Sequence, residues 1–446
     1  MFYENAFYVL LPVLMVITAF AYVMSEYDIM HPFTVVSAVA AVSTAVAMLG
    51  IPEWNFYMGI DAALLIITSV LVFGIASIWT DAVTKNQAAV KNGSSLCIGR
   101  YSIAHKYLAL FVFVILAFTC LQVKATYDMV HEIGKNITYE NFMFWARRGL
   151  TGDKFKYTRW LSYEMVILLS ICYSCLFVVI SNIINSVEEN SLKEKLVSNL
   201  KYLAIPLLCL PAFFLETGRE NYFNLFLFSL VTFAILIQKK NGFSLQSKYA
   251  TLRIISISFV IFIIIFLLFG FVRHRFTITD PLRILISYIG SSIPELSYFL
   301  DTHVFLENQY TGGNTLSGIY SNLNTLGFAL PKPIVFLEFS YIHQSYGTNI
   351  YTMLRRYIED YGYVGTHLIM AILGILYTSF YNYVRFYAKP FWHIILYGCF
   401  VSPLFLSMYD ERFLMFIINT STVYKMAVIY LICRFFVQRE VPADVP

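Results

Sequence analysis

Charge is what this 446-residue chain has least of. Asp, Glu, Lys and Arg make up 13% of it, against about 25% in a soluble domain, while 59% is hydrophobic. So few charges cannot cover that much apolar surface in water, which excludes a soluble fold. The 31 basic and 27 acidic residues leave a net charge of +4, too small and too dispersed for a nucleic-acid-binding face. Cysteine is scarce, with 7 scattered residues. Cys172 and Cys175 form a CxxC inside an apolar run with no His or Cys nearby, which reads as apolar filler. The start, Met1 to Asn5, lacks a basic n-region and carries Glu4, so no signal peptide is predicted. No His, Asp or Glu group has metal-ligand spacing. There is no phosphate-binding glycine loop, nucleophile elbow, dinucleotide fingerprint or internal repeat.

What is present is apolar and aromatic, with 40 Phe and 33 Tyr. Lipid serves as solvent for such outer faces, and the fold class follows: all-α, a polytopic integral membrane protein. Apolar runs predict about eleven spans, near 6–24, 32–51, 57–79, 104–123, 161–183, 200–215, 220–237, 252–272, 363–386, 391–408 and 414–436. Lys85, Lys91, Arg100, Lys193, Lys195, Lys239, Lys240, Lys248, Arg385 and Lys389 fall in alternate connections and mark the cytoplasmic side. The N-terminus is then outside and the C-terminus inside. Two long loops, 124–160 and 273–361, fall on the outer side. The whole chain reads as one membrane domain.

The larger outer loop concentrates the chemistry. The stretch 349–359 predicts a helix with Asn349 as a possible N-cap, and Gly362 as its stop. Thr352, Arg355 and Arg356 share a face of that helix with Glu359. The bland reading is an Arg–Glu ladder on a solvated helix. The alternative is a pair of cations that grips pyrophosphate or a lipid headgroup by parallel hydrogen bonds. Arg219, in the turn Thr217-Gly218-Arg219-Glu220, is either an interfacial arginine paired with Glu216 or Glu220, or a second anion clamp. His343 lies just upstream of the helix and is the obvious candidate base for a hydroxyl at neutral pH. A lone loop histidine is also often only a polar surface residue.

The run Asn349-x-Tyr351-Thr352-x-x-Arg355, followed by Asp360-x-Gly362-x-x-Gly365, resembles the signature of bacterial oligosaccharide repeat-unit polymerases, the Wzy-type O-antigen and capsule polymerases. The Gly218-Arg219 turn, the stretch from Asp280-Pro281 to Asp301 and the Gly313-Asn314-Thr315 turn fit as well. The chain departs in having Tyr361 where the family often has Phe, and Arg356 where proline is common. The resemblance implies a metal-independent glycosyltransferase of the bacterial inner membrane with a periplasmic site. Its substrate would be undecaprenyl-diphosphate-linked oligosaccharide, with no cofactor and no nucleic acid, and its partners a chain-length regulator and a flippase. Arg219 and Arg355 would then hold the leaving diphosphate, with Arg356 in support. His343 would be the base, with Glu338 and Asp360 behind it, and Asn349 and Tyr351 in the binding motif. An O-antigen ligase or a lipid transporter is the alternative.

Overall fold

The computed structural model describes residues 5–90, 99–134, 136–139, 141–151, 159–186, 191–216, 220–272, 281–302, 312–331, 337–343, 346–387, 391–417 and 419–440. Among these residues the architecture is helical, with β-structure confined to two two-stranded antiparallel ladders. Seven helices are long and apolar enough to cross a membrane: Phe7–Met24, Ile60–Thr84, His105–Ile133, Tyr163–Ile184, Glu220–Lys240, Leu245–Ile265 and Met353–Phe386. An eighth candidate is a pair, Leu192–Ser198 and Leu200–Leu215, bent by 72°. The chain is thus an all-α polytopic membrane protein.

The count of eleven expected from apolar runs is not reached, and the reasons are local. Each expected run is helical, but several are interrupted or short of the roughly 20 residues a bilayer requires. Pro32–Met48 has 17 residues. The run 391–408 divides into Trp392–Phe400 and Ser402–Phe405, with a proline in the first turn of the second piece, where a missing N–H costs nothing. The run 414–436 forms one turn, Leu414–Ile417, and restarts as Thr420–Phe435.

The chain divides into two compact units. The first comprises Met1–Gly93, Ser244–Tyr387 and Phe400–Thr420. Its axis is the pairing of the helices Ile60–Val90 and Met353–Asn382. Gly374 makes their close approach possible, since a Cβ there would lie 2.5 Å from the backbone oxygen of Phe73. Phe7–Met24 and Pro32–Met48 pack beside them. The loop before the first helix is tied down by Asn5. Its amide donates to the Phe56 oxygen at 3.0 Å, and its side-chain oxygen accepts from the Met58 N–H at 3.1 Å. In the Gly270–Gly365 region, helix Ser292–Thr302 packs against Pro32–Met48 and Ile60–Val90. A hairpin follows, Ser340–His343 against Tyr346–Thr348, with a bulge between Tyr341 and His343.

The second unit comprises Ser94–Phe243, Ala388–Cys399 and Ser421–Pro446. Helix Leu200–Leu215 packs on both His105–Ile133 and Arg159–Ile184, and Glu220–Lys240 packs on the latter. Strand Tyr101–Ile103 pairs with Val437–Arg439. Asn182 anchors that ladder, accepting from the Tyr101 N–H at 2.7 Å and donating to its carbonyl at 2.9 Å. Cys172 and Cys175 are both fully buried among apolar side chains of this unit.

Candidate site around Arg355

The helix Met353–Asn382 begins later than expected, with Thr352 rather than Asn349 preceding its first turn. Asn349 is exposed in the connection from the hairpin. Gly362 ends the first helical segment as expected, with φ 65° and ψ −172° between it and the helix that follows, a combination open essentially to glycine alone. The eight residues from Met353 to Asp360 form a separate segment ahead of the span.

That segment buries two adjacent arginines, Arg355 at 1% exposure and Arg356 at 2%. They do different things. Arg356 is tied: its Nε is 3.1 Å from Asp410 Oδ1, and its Nη1 donates to the Asn314 carbonyl at 3.1 Å. Asp360 completes the same scaffold. Its carboxylate accepts from the Asn314 N–H at 3.1 Å, the Asn314 amide at 3.0 Å, the Thr315 N–H at 2.8 Å and the Thr315 hydroxyl at 2.7 Å. Arg356 and Asp360 together clamp the 312–315 turn. Glu411 clamps the next segment. It accepts from the Tyr357 hydroxyl at 2.9 Å and from the N–H groups of Phe413, Leu414 and Met415 at 2.7–2.9 Å.

Arg355 is built otherwise. Its guanidinium carbon lies 3.7 Å from the Tyr351 ring centroid and 4.4 Å from that of Phe299. Nη2 bonds the Glu338 carboxylate, whose side chain is half exposed. Among the described residues, Nε and Nη1 have no hydrogen-bond partner. The expected pairing with Glu359 on the same helix is not made; the counter-ion comes from the segment before the hairpin instead. Tyr351 supports this arrangement from both ends. Its ring carries the guanidinium, and its hydroxyl donates to the Glu338 carbonyl at 2.8 Å.

One further acidic residue belongs to this site, and sequence reading missed it. Glu295 is 1% exposed and sits one helical turn before Phe299 on Ser292–Thr302. Its Oε1 accepts from the Ser340 hydroxyl at 2.6 Å. Its Oε2 is buried without a partner among the described residues. Burial pushes the carboxyl up to about 7, with Ser340, Arg355 and Tyr351 pulling the other way. The surrounding sequence, Ser-Ser-Ile-Pro-Glu-Leu-Ser, carries no motif that would have singled it out.

The other expected site residues are placed as follows. His343 ends the first hairpin strand, opposite Tyr346. Its backbone lies three residues beyond Ser340, roughly 10 Å along a strand, and its side chain lies outside the described residues. Arg219, with Thr217 and Gly218, also lies outside them. The structure therefore gathers Arg355, Glu338 and Tyr351 at one point. It assigns Arg356 and Asp360 to the scaffold beside it.

Chemically, the site offers two guanidinium donors in search of acceptors and, on the neighbouring helix, one carboxyl oxygen in search of a donor. Aromatic faces lie between. An anion that also carries hydroxyl groups satisfies both. No model of a known protein family matches the chain, and no curated protein and no solved structure matches it either.

Proposed function

We propose that this chain is a membrane glycosyltransferase that polymerises undecaprenyl-diphosphate-linked oligosaccharide repeat units, of the kind that make O-antigen or capsular polysaccharide. The observation that carries the reading is Arg355. A cation buried to this degree with two empty donor positions costs several kcal/mol, and a ligand with paired acceptor oxygens recovers that energy. Phosphate and diphosphate present such pairs, and guanidinium grips them by parallel bonds. The rings of Tyr351 and Phe299 hold the guanidinium in one plane, so little ordering remains when the ligand arrives.

In this reading a sugar hydroxyl of one unit attacks the anomeric carbon of the growing chain, and undecaprenyl diphosphate leaves. Negative charge grows on the leaving oxygen as the bond breaks. A fixed, water-excluded guanidinium stabilises that charge without reorganising. Glu338 orients it. Arg356 and Asp360 act through the 312–315 turn, which they hold against the arginine-bearing segment. Arg219, from its Gly218-Arg219 turn, and His343, from its place just upstream of the helix, remain assigned from the sequence as second cation and candidate base. The site belongs to the outer, periplasmic face of a bacterial inner membrane, with the N-terminus periplasmic and the C-terminus cytoplasmic. Eleven crossings result if the bent pair and the three shorter apolar stretches also span.

The test is a gel of surface polysaccharide from a strain deleted for this gene and complemented with wild type or Arg355→Ala. Wild type restoring a ladder, with the variant leaving core plus a single repeat unit, supports the polymerase. Loss of capped core with lipid-linked polymer accumulating indicates the related ligase reaction. A ladder unaffected by the deletion sinks both and favours transport.

A further inference from the structure

Glu295 is not accounted for by holding the fold together. Ser340 satisfies one of its oxygens, and the other makes no hydrogen bond among the described residues, the nearby Tyr351 hydroxyl being given to the Glu338 carbonyl. Carboxylates that serve as scaffold in this unit look different: Asp360 and Glu411 each accept several bonds spread over both oxygens. Glu295 shares a helix face with Phe299 at i+4 spacing, and Phe299 is one of the two rings that seat the Arg355 guanidinium. No direct ion pair joins Glu295 to Arg355. The two orphaned functions, cation donors and carboxyl acceptor, are thus held on adjacent elements without quenching each other.

We infer that Glu295, not the hairpin histidine, is the group that takes the proton from the attacking sugar hydroxyl. The inference rests on the glycosyl-transfer reading above. The step balances as follows. The hydroxyl oxygen forms its bond to the anomeric carbon while its O–H bond breaks, and the proton passes to Glu295 Oε2. The bond from the anomeric carbon to the diphosphate oxygen breaks, and its electron pair leaves on that oxygen beside Arg355. The carboxylic acid then returns its proton to water.

The groups facing Glu295 set its behaviour. Arg355 and Tyr351 come from the arginine-bearing segment and the residues before it, Glu338 and Ser340 from the hairpin entry, and Tyr346 from the second hairpin strand. Burial wins and pushes the carboxyl up to about 7, the range in which a base operates best at neutral pH.

The test uses the full-length protein, with undecaprenyl diphosphate as binding probe in nanodiscs. Polymer formation is followed across pH in membranes of the deletion strain carrying each variant. Glu295→Gln should bind the probe within about threefold of wild type, yet lose polymer formation by about 10²–10⁴-fold. Glu295→Asp should keep part of the activity and move the acid limb of the pH profile. A merely structural role leaves that limb in place. Glu295→Gln as active as wild type across pH, with Arg355→Ala inactive, overturns the role of Glu295 and leaves the function intact. If Glu295→Gln fails to accumulate, the limb of Glu295→Asp decides, and an unmoved limb overturns the inference. Wild type that neither binds the probe nor restores polymer overturns the functional reading and this step with it.

Discussion

Arg355 and Arg385 stand near opposite ends of the same long helix, up to about 45 Å apart along it. Both are almost wholly buried, and both lie against aromatic rings. Their counter-ions differ. Arg385 Nη1 is 3.6 Å from Asp28, a carboxylate with no exposure. Asp28 also accepts from the Tyr381 hydroxyl at 2.5 Å and the Met30 N–H at 3.1 Å. Around it, Asp81 meets Asn382 at 2.7 Å and His31 at 3.2 Å, and Lys248 meets Glu26 at 3.6 Å. That end joins buried charges of both signs to Glu26, whose side chain is 58% exposed, and it too holds polar atoms that make no hydrogen bond among the described residues, His31 Nδ1 and Asn382 Oδ1. At the other end, among the described residues, Arg355 has one ion-pair partner, a half-exposed carboxylate, and two nitrogens without a hydrogen-bond partner. Burial of an arginine is therefore not itself a sign of function in this chain. What sets Arg355 apart is the exposure of its counter-ion, half-open Glu338 against the fully enclosed Asp28.

The comparison breaks most readily at the Arg385 end. Arg385→Met strands Asp28 without its cation and should destabilise by about 3–5 kcal/mol. Thermal melting in detergent measures this, and an unchanged melting temperature would erase the distinction between the ends. Arg355→Met should do the reverse. It removes a buried cation held by one half-exposed carboxylate, so melting should hold or rise, while polymer formation falls by about 10²–10³-fold. A melting loss as large as that of Arg385→Met would make the two arginines equivalent.

Glu295 sharpens the contrast through pH. Its carboxyl moves from the ordinary 4.5 to about 7 in the fold. The folded chain therefore keeps a proton that the unfolded chain releases. Stability from this group is greatest below pH 4.5 and falls as pH rises through 7, by on the order of 3 kcal/mol. Glu295→Gln should flatten that slope in melting curves across the window; a slope that persists would assign it elsewhere. Asp360→Asn, which weakens the grip on the 312–315 turn, should cost about 1–3 kcal/mol, with a smaller loss of polymer than Arg355→Met. Asn349→Ala, at an exposed position, should change melting by less than about 0.5 kcal/mol.

The helical, membrane-spanning character was legible in the sequence because apolar runs report it directly. The crossing count was not, since Pro403 and the break after Ile417 divide runs that composition alone joins. Arg355 was legible as a candidate from its place beside an acidic, glycine-bearing helix end. Its partner was not. Helix spacing points to Glu359, whereas Glu338 arrives from seventeen residues upstream through a hairpin whose geometry no periodicity encodes. The division of labour between Arg355 and Arg356 was hidden for the same reason: Asp410 and Asn314, which hold Arg356, lie more than forty residues away in either direction. Glu295 was hidden, although it falls inside the Asp280–Asp301 stretch, because one carboxylate there becomes notable only once its burial and an unmatched oxygen are seen.

The break at Gly362 has a mechanical consequence. Spans tilt to match bilayer thickness, and a rigid rod would carry that tilt straight to its tip. Here a swivel with no side chain to strain separates the crossing rod from the short piece that bears Arg355, and that piece is fastened by Asp360 and Tyr357 to its own surroundings. The end that bears Arg355 is thereby insulated from the lipid. A membrane that thickens or thins can lean on the shaft while the tool at its tip keeps its aim.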